Sequence, residues 1–345
     1  MKRVESNPHT FVTTKVINRE NKTLIIPTYV DDLFPFGDKV LTDNFEAFIP
    51  NYFETTPPCD THYFLGICVT RSRAPLSNTT VRPYISLDQI TFIGKVLKSI
   101  EEFYPEHTIT NRRTVLPATP IEPNTQPKMF TDPKRVRRFQ STVGQLMYIM
   151  LATRPDLAYP VGMLARYTSH PSPDHEKALL HLASYLKHTA ERALVYRKPT
   201  KSEEKPGLIE AWTDANWAGE EHSARSTLGM IIYKNDSAIA WGSKRQGIVS
   251  RSTMESEYIA LFITANHIVL IFALETQFGL EPLQPYIWYD NQAAISIATG
   301  GGMNFKCSRF MNIKYHWVRK AYEGKEFYIN YVDIGDRGGL TWQVH

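Results

Sequence analysis

Three acidic residues in the second half of the chain stand where predicted strands and helices begin or end. Asp214 lies late in one predicted strand, Glu257 lies in the first turn and a half of a long predicted helix, and Asp290 ends a later strand. Hard divalent cations such as Mg²⁺ prefer carboxylate oxygens, and phosphodiester hydrolysis can use two such ions, one activating water and one stabilising the leaving oxygen. If these element ends converge, they create a metal site suited to cutting a phosphodiester.

Each of these acids also has an interpretation without chemistry. Asp214 could be a turn residue, Glu257 a solvated acid on a helix, and Asp290 the N-cap of the helix that follows it. Short motifs often match by chance, so the plain interpretation is favoured for any one acid taken alone.

A second acidic pair, Asp31 and Asp32, lies between two apolar arms in "IIPTYVDDLFPFG". The pattern predicts a hairpin with the acids at its tip, where two carboxylates could face ions that hold phosphates. An acidic turn is the plain alternative, because Asp is common in turns. Pro27 and Pro35 stand in the two arms, and each removes a donor from the strand ladder.

The elements that must position these acids are a mixture of strands and helices. After Gly207, the segments "LIEAWTDANWAG", "LGMIIYKN" and "AIAWGSKRQ" predict three antiparallel strands. The long helix that follows has Ser252 and Glu255 at the spacing of a capping box. The predicted order of this half is strand, strand, strand, helix, strand, helix, helix, strand.

Upstream of Gly207 the chain also alternates between strands and helices. Prolines recur from residue 105 to residue 133, which predicts an extended linker or loop. The other predicted elements are a strand at 62–71, a helix at 86–104 capped by Ser86, helices at 134–151 and 173–189, and a short helix between the last two.

Composition and charge narrow the class of protein. A net charge of +4 and a pI near 8.7 are compatible with a polyanionic partner. The three cysteines are widely spaced, which predicts reduced thiols inside the cell. The longest apolar run, Ile259–Leu274, is interrupted by Asn266 and His267 and predicts a buried helix. We expect a soluble intracellular protein, cytoplasmic or nuclear, that is not secreted and has no membrane partner.

Several segments of the chain carry a family resemblance. In this order and spacing, "WTDANWAG", "RSTLG", "AIAWGSKRQ", "STMESEYIAL" and "YDNQAAI" closely resemble the ribonuclease H domain of copia-type retrotransposon Pol polyproteins, over roughly residues 208–332. Upstream, "YVDD", "YFLGI" and the stretch from "STVGQLMYIM" to "ASYLKHT" resemble the end of the same family's reverse transcriptase.

The resemblance implies a fold class and a division into domains. The fold is α/β: a partial palm, thumb and connecting region followed by a ribonuclease H-like domain with a mixed five-stranded sheet and flanking helices. The implied parts are the end of the palm with the start of the thumb (1–104), a proline-rich linker with a helical thumb and connection (105–200), and a ribonuclease H-like domain (206–345).

The resemblance also implies a set of site residues. Asp214, Glu257 and Asp290 take the places of catalytic acids that bind two Mg²⁺ or Mn²⁺ ions, while Glu255 is assigned to the helix cap. Asp31 and Asp32 take the places of metal-binding acids in a vestigial polymerase site. The site residues expected to contact phosphates are Lys244, Arg245 and Arg251.

The implied activity is endonucleolytic hydrolysis of the RNA strand of an RNA/DNA hybrid. The expected partners are that hybrid or another nucleic-acid duplex, and the remaining segments of a Pol polyprotein. The alternative is a catalytically inactive retroelement remnant that only binds nucleic acid. Polymerisation by this chain alone is not expected, because the family supplies a third metal-binding aspartate and the fingers from well upstream.

Two departures from the family pattern affect these expectations. The family has a fourth acid in a helix after the "YV" strand, and the matching place here falls at about Leu340. The segment Arg309–Asn312 replaces the family's usual lysine-histidine-isoleucine-aspartate. We therefore expect a weakened second ion site, reduced activity and an aberrant or truncated carboxyl terminus.

Overall fold

The structure is a computed structural model of the chain. Within the described residues the strands form three sheets, joined by a helical region. For residues 309–312 only the backbone is described. The described ranges are 2–5, 7–57, 62–72, 83–117, 130–198, 207–217, 224–250, 252–300 and 309–333.

The first sheet consists of amino-terminal hairpins. The longest is closed by Asn18 and Arg19, which have φ of 54° and 66°, as a tight two-residue hairpin turn requires. This hairpin is absent from the sequence prediction. The elements are β1 (Lys2–Val4), β2 (Asn7–Ile17), β3 (Glu20–Tyr29), β4 (Asp32–Leu33), β5 (Phe36–Gly37) and helix α1 (Lys39–Phe48), which packs on β3.

The hairpin predicted at the acidic pair is present. Tyr29 pairs with Asp32 across the turn, and both Asp31 and Asp32 are exposed. Pro27 is the last residue of β3 that pairs with β2, and Pro35 separates β4 from β5. Because proline has no N–H to donate, the ladder changes partners at both prolines.

The second sheet corrects two sequence predictions. The single strand predicted at 62–71 is a hairpin, because Leu65 and Gly66 adopt positive φ and reverse the chain. Ser86 does not cap a helix: it pairs with Thr70 on one side and Val195 on the other, so its backbone is extended. The elements are β6 (Tyr63–Phe64), β7 (Ile67–Ser72), β8 (Tyr84–Asp88), β9 (Leu194–Arg197) and helix α2 (Ile90–Phe103).

The helical region contains the two long helices and the short helix that the sequence predicts. Asp132 caps the first of them by accepting the N–H of Lys134 at 2.9 Å, and Pro133 begins it. Fully buried residues of this region, among them Phe139 and Leu182, form one core with α2. The helices are α3 (Pro133–Ala152), α4 (Ala158–Ala165) and α5 (Pro173–His188), with a 3-10 turn at Pro155–Leu157.

A buried ion pair fixes the start of the 3-10 turn. The Arg154 side chain is 1% exposed and donates to both Asp156 carboxylate oxygens, at 2.8 and 2.7 Å. It also donates to the Thr189 carbonyl oxygen at 2.9 Å, and the Tyr185 hydroxyl donates to Asp156 at 2.7 Å. Burial opposes the charge of Asp156, but the hydrogen bonds and charge of Arg154 hold its pKa below the usual value. The network joins the 3-10 turn to the end of α5.

The third sheet has the element order and the mixed five-stranded form that the sequence predicts. Its strand order is β12-β11-β10-β13-β14, with antiparallel pairs among the first three strands and parallel pairs from β10 to β13 and from β13 to β14. The elements are β10 (Ile209–Asn216), β11 (Thr227–Lys234), β12 (Ser237–Arg245), α6 (Thr253–Gln277), β13 (Tyr286–Tyr289), α7 (Gln292–Ala298), α8 (Arg309–Glu323) and β14 (Tyr328–Tyr331).

Helix α6 is the longest helix described. By length and composition alone it is apolar enough to cross a membrane, a test that a core helix also passes. Here its buried residues, including Ile259, Leu261 and Ile268, pack in one core with Ile209 and Ile287 of the sheet. The predicted buried helix is therefore present.

Hydrogen bonds join the helical region and strand β9 to the third sheet. The Trp241 indole N–H donates to the Met150 carbonyl oxygen at 2.9 Å, and the Tyr196 hydroxyl donates to the Ala238 carbonyl oxygen at 3.0 Å. The domain boundaries drawn from the sequence stay a prediction. Across the first of them, β9 completes the sheet that β6, β7 and β8 begin.

Replacing Asp156 by Asn tests the buried ion pair. We expect Asp156→Asn to lower the free energy of unfolding by about 3 kcal/mol, because removing one partner leaves the Arg154 charge buried and uncompensated. Urea unfolding followed by the helix signal measures the loss. The matched control is Asp43→Asn, which removes an exposed partner 3.3 Å from Lys39 and should cost less than about 0.5 kcal/mol. Equal losses in the two variants would contradict the role given to the buried pair.

Candidate functional site

Asp214 lies within a strand and not in a turn. Burial alternates along β10: Ala211, Thr213 and Ala215 are buried, whereas Asp214 is half-buried on the opposite face. Its backbone pairs with Gly229 of β11, and its carboxylate accepts the N–H of Ala215 at 2.8 Å. The plain interpretation of Asp214 as a turn residue is wrong.

Glu257 is not solvated. It lies near the start of α6 and is 7% exposed, because the amino-terminal part of this helix packs on β10 and β11. The Tyr289 hydroxyl donates to its carboxylate at 2.8 Å, and the backbone of Ala215 is a further hydrogen-bond partner. The plain interpretation of Glu257 as a solvated helix acid is wrong.

Asp290 directly follows β13 and does not cap the next helix. The N-cap of α7 is Asn291, whose side chain accepts the N–H of Ala294 at 3.0 Å. In the parallel pair of β10 and β13, Trp212 is level with Trp288. Asp214 and Asp290 each follow that pair by two residues, so both lie at the same end of the sheet.

The three acids influence one another electrostatically. Burial, followed by the negative charges of Asp214 and Asp290, raises the pKa of Glu257 to about 8, while the hydrogen bond from Tyr289 acts in the opposite direction. Burial and the neighbouring Glu257 carboxyl raise the pKa of Tyr289 well above its usual value, so its hydroxyl remains a donor. A like-charge cluster of this kind is what a bound cation would stabilise.

The fit of a metal ion to this cluster can be judged from the side chains. Three carboxylates make the oxygen-rich donor set that Mg²⁺ and Mn²⁺ favour. In the part of the chain that the structure describes, no three or more His, Cys, Asp or Glu side chains are spaced closely enough to hold a metal ion. The donor chemistry thus fits a divalent cation, although the three acids do not form a closed set of ligands.

The basic residues named from the sequence lie at the same end of the sheet or outside the described residues. Gly229 pairs with Asp214 on one side and with Ser243 on the other. Lys244, which is exposed, and Arg245 follow Ser243 at the end of β12. Arg251 lies outside the described residues, as does the place near Leu340 that matches the family's fourth acid.

Asp31 and Asp32 are not brought to the three acids by any described pairing. They belong to the first sheet, at the tip of an exposed hairpin. The role of the pair in a vestigial polymerase site stays a prediction.

Sequence reasoning missed two residues that support the site. One is Tyr289, the hydrogen-bond partner of Glu257. The other is Gln246, which is 3% exposed and donates to the Ser256 carbonyl oxygen at 2.8 Å, fixing the segment after β12 to the first turns of α6. A polar residue that closes an apolar strand, as Gln246 does in "AIAWGSKRQ", is the signal that could have indicated such a contact.

Comparison with known proteins identifies relatives along most of the chain. No protein-family model matches it. It is 26% identical over 309 residues to the Retrovirus-related Pol polyprotein from transposon TNT 1-94 of Nicotiana tabacum, covering 87% of this chain and 22% of that protein. It is 28% identical over 331 residues to the Retrovirus-related Pol polyprotein from transposon RE2 of Arabidopsis thaliana, covering 93% of this chain and 21% of that protein. A stretch of 123 residues is 38% identical to Secreted RxLR effector protein 161 of Plasmopara viticola, covering 36% of this chain and 83% of that protein.

Comparison with solved structures returned ribonucleases H and a reverse transcriptase, all at TM-scores below 0.5. LC11-RNase H1, isolated from compost by a metagenomic approach, matches 38% of this chain and 89% of its own, with 12% identity and a TM-score of 0.30. The foamy viral protease-reverse transcriptase in complex with dsDNA matches 90% of this chain and 55% of its own, with 14% identity and a TM-score of 0.45.

The mixed five-stranded sheet, with α6 packed on it and acids at one end, has the α/β form that the resemblance to a ribonuclease H domain predicts. The relatives that cover about 90% of the chain, at 26–28% identity, are copia-type Retrovirus-related Pol polyproteins, which agrees with the resemblance seen in the motifs. The chain spans about a fifth of the length of the two transposon relatives.

The buried carboxyl of Glu257 should make the free energy of unfolding depend on pH. Its pKa rises from 4.5 to about 8 on folding, so the folded chain binds the proton more tightly than the unfolded chain. The free energy of unfolding should therefore fall as the pH rises from 4.5 to 8. Glu257→Gln should abolish that loss and be more stable at high pH by on the order of 4 kcal/mol. Urea unfolding in EDTA across this pH range measures it, and parallel profiles for the two proteins would contradict the burial of an ionisable carboxyl.

Proposed function

We propose that this segment of a Pol polyprotein hydrolyses the RNA strand of RNA/DNA hybrids. One observation carries the proposal: Asp214 and Asp290 lie at one end of the third sheet beside the buried Glu257, and burial together with their negative charges raises the pKa of the Glu257 carboxyl. A buried carboxyl of raised pKa at an element end is a mark of functional sites.

The proposed cofactor is Mg²⁺ or Mn²⁺. Asp214, Glu257 and Asp290 would hold the ions, which when bound supply an activated water and stabilise the leaving oxygen. The chain's own groups orient these acids. The N–H of Ala215 donates to Asp214, and the Tyr289 hydroxyl donates to Glu257. Fixed hydrogen bonds of this kind keep each carboxylate in one orientation and so hold the site ready for an ion.

The proposed partner is an RNA/DNA hybrid or another nucleic-acid duplex. Lys244 and Arg245 lie at the end of β12, at the same end of the sheet as the acids. Their charges can contact phosphates there on either side of the cleaved bond. Phosphate contacts position a duplex without reading its sequence, so we expect little sequence preference. Arg251 is proposed as a further phosphate contact from the sequence alone.

The second candidate function is nucleic-acid binding without cleavage. Its support is that, among the described residues, no three His, Cys, Asp or Glu side chains are spaced closely enough to hold a metal ion. In this case the basic edge would still bind duplexes, with the salt dependence of phosphate contacts.

Replacing Asp214 by Asn separates the two functions. With Mg²⁺ present, we expect Asp214→Asn to lower the rate of RNA-strand cleavage by about 100-fold or more, because the neutral amide is a weaker ion ligand than a carboxylate. The measurement follows a 5′-labelled RNA strand in a hybrid. Glu255→Gln is the matched control. The cap contact of Glu255 is made by its backbone N–H, which donates to Ser252 and is kept in this variant, so cleavage should be retained.

Two outcomes would contradict the nuclease proposal. One is binding of the hybrid without cleavage at any Mg²⁺ or Mn²⁺ concentration, which would establish the second candidate. The other is cleavage that Asp214→Asn leaves unchanged, which would indicate a different site.

A polymerase assay tests the acidic hairpin. We expect no primer extension from this chain alone, because Asp31 and Asp32 lie at the exposed tip of a hairpin and no described strand pairing brings them to another acid of the candidate site. Nucleotide incorporation that Asp31→Asn abolishes would contradict this expectation.

A further inference from the structure

A cavity of about 700 Å³ lies between the helical region and the third sheet. One wall is the sheet face that carries Trp212, Asp214 and Trp288, and the opposite wall includes Tyr159 and Tyr185. Its volume is within the range of about 300–1,000 Å³ typical of ligand sites, which favour interfaces of this kind.

The sheet wall of the cavity is a fixed aromatic platform. Trp212 and Trp288 stack at 5.7 Å between ring centroids with 22° between their planes. The Trp288 indole N–H donates to Glu210 at 2.9 Å, so its ring is held in one orientation. A third ring at the wall, Trp241, is fixed by its hydrogen bond to the Met150 carbonyl oxygen. Rigid aromatic surfaces stack on planar ligands with little loss of conformational freedom.

The charges at the cavity differ from one side to the other. Among the described residues that line it, Arg113 carries the positive charge. Asp156 is paired with Arg154, at 2.7 Å. Asp214 and Asp290, two of the three acids of the candidate site, also line this cavity. A ligand that suits these walls is planar and aromatic, carries a phosphate, and lies next to the candidate nuclease acids.

We propose that the cavity holds an unpaired nucleobase of the bound nucleic acid, stacked at the Trp212–Trp288 platform, with a neighbouring phosphate near Arg113. Bases inside a duplex are stacked on one another and cannot enter it, whereas every unpaired base offers a face to an aromatic ring. The inference rests on the proposed function, because it places this base subsite beside the acids that would cut the strand. It defines the preferred ligand as a hybrid with an unpaired nucleotide at its end.

A fluorescent base tests the subsite without cleavage. The probe is an RNA/DNA hybrid with one unpaired 2-aminopurine at a strand end, titrated with the full chain in EDTA, because stacking on an aromatic ring quenches this base. The second probe is the same hybrid with the 2-aminopurine paired internally. We expect quenching of the unpaired probe only, and about tenfold tighter binding than to a blunt hybrid.

Three variants locate the effect. Trp212→Leu removes part of the platform, and Ala158→Phe fills the cavity from the opposite wall while leaving the sheet unchanged. Both should abolish the quenching and the tenfold preference. Trp317→Phe is the matched control, because Trp317 lies on α8 and packs against Phe262 at 5.4 Å. Circular dichroism establishes that each variant is folded.

The outcomes separate this inference from the proposed function. Quenching that Trp212→Leu and Ala158→Phe both abolish supports the subsite, even where the wild-type chain does not cleave a blunt hybrid with Mg²⁺. Cleavage of the blunt hybrid without quenching of the unpaired probe overturns the proposed base subsite but still supports the proposed nuclease function. Equal quenching of the paired probe, or quenching that survives both cavity variants, also overturns it.

Discussion

The Glu257 carboxyl, buried at the end of the third sheet, is the constraint on which the candidate site depends. A buried carboxylate beside two others is unfavourable unless a proton or a cation compensates its charge. Strand β10, helix α6 and the end of β13 nevertheless meet there, because the two strands pair in parallel and the helix packs with them in one apolar core. One end of the domain therefore carries an electrostatic cost that the apolar core must offset. Such a cost is expected of a site and not of a scaffold.

Much of the third sheet could be predicted from the sequence, because its signals are local. Alternating burial along β10, the turn at Asn235 and Asp236, and the cap at Ser252 each lie within a few residues of the element that they define. Strand β8 could not be predicted in this way. Ser86 has the residue type of a helix cap, but its partner Val195 is about a hundred residues further along the chain, and the pairing overrides the local preference.

The candidate site was predictable in its acids and not in their supports. Motif spacing identifies Asp214, Glu257 and Asp290, whereas the role of Tyr289 arises only when β13 places its ring beneath α6. Adjacent residues also divide their roles in a way that spacing does not reveal: Asn291 caps α7, which leaves the capping position unavailable to Asp290. These choices depend on tertiary contacts, so a single sequence does not determine them.

Strand β9 makes the helical region an insertion between two paired strands. Its partner β8 ends just before α2, and β9 begins just after α5, so the whole bundle starts and finishes at one sheet edge. Closing so long a loop before any pairing energy is gained is entropically slow, which favours assembly of the bundle before the sheet. Because β9 also contacts β12 through Tyr196 and Ser237, we expect the third sheet to dock after that closure. With that order of folding, we expect the candidate site on the third sheet to be completed last.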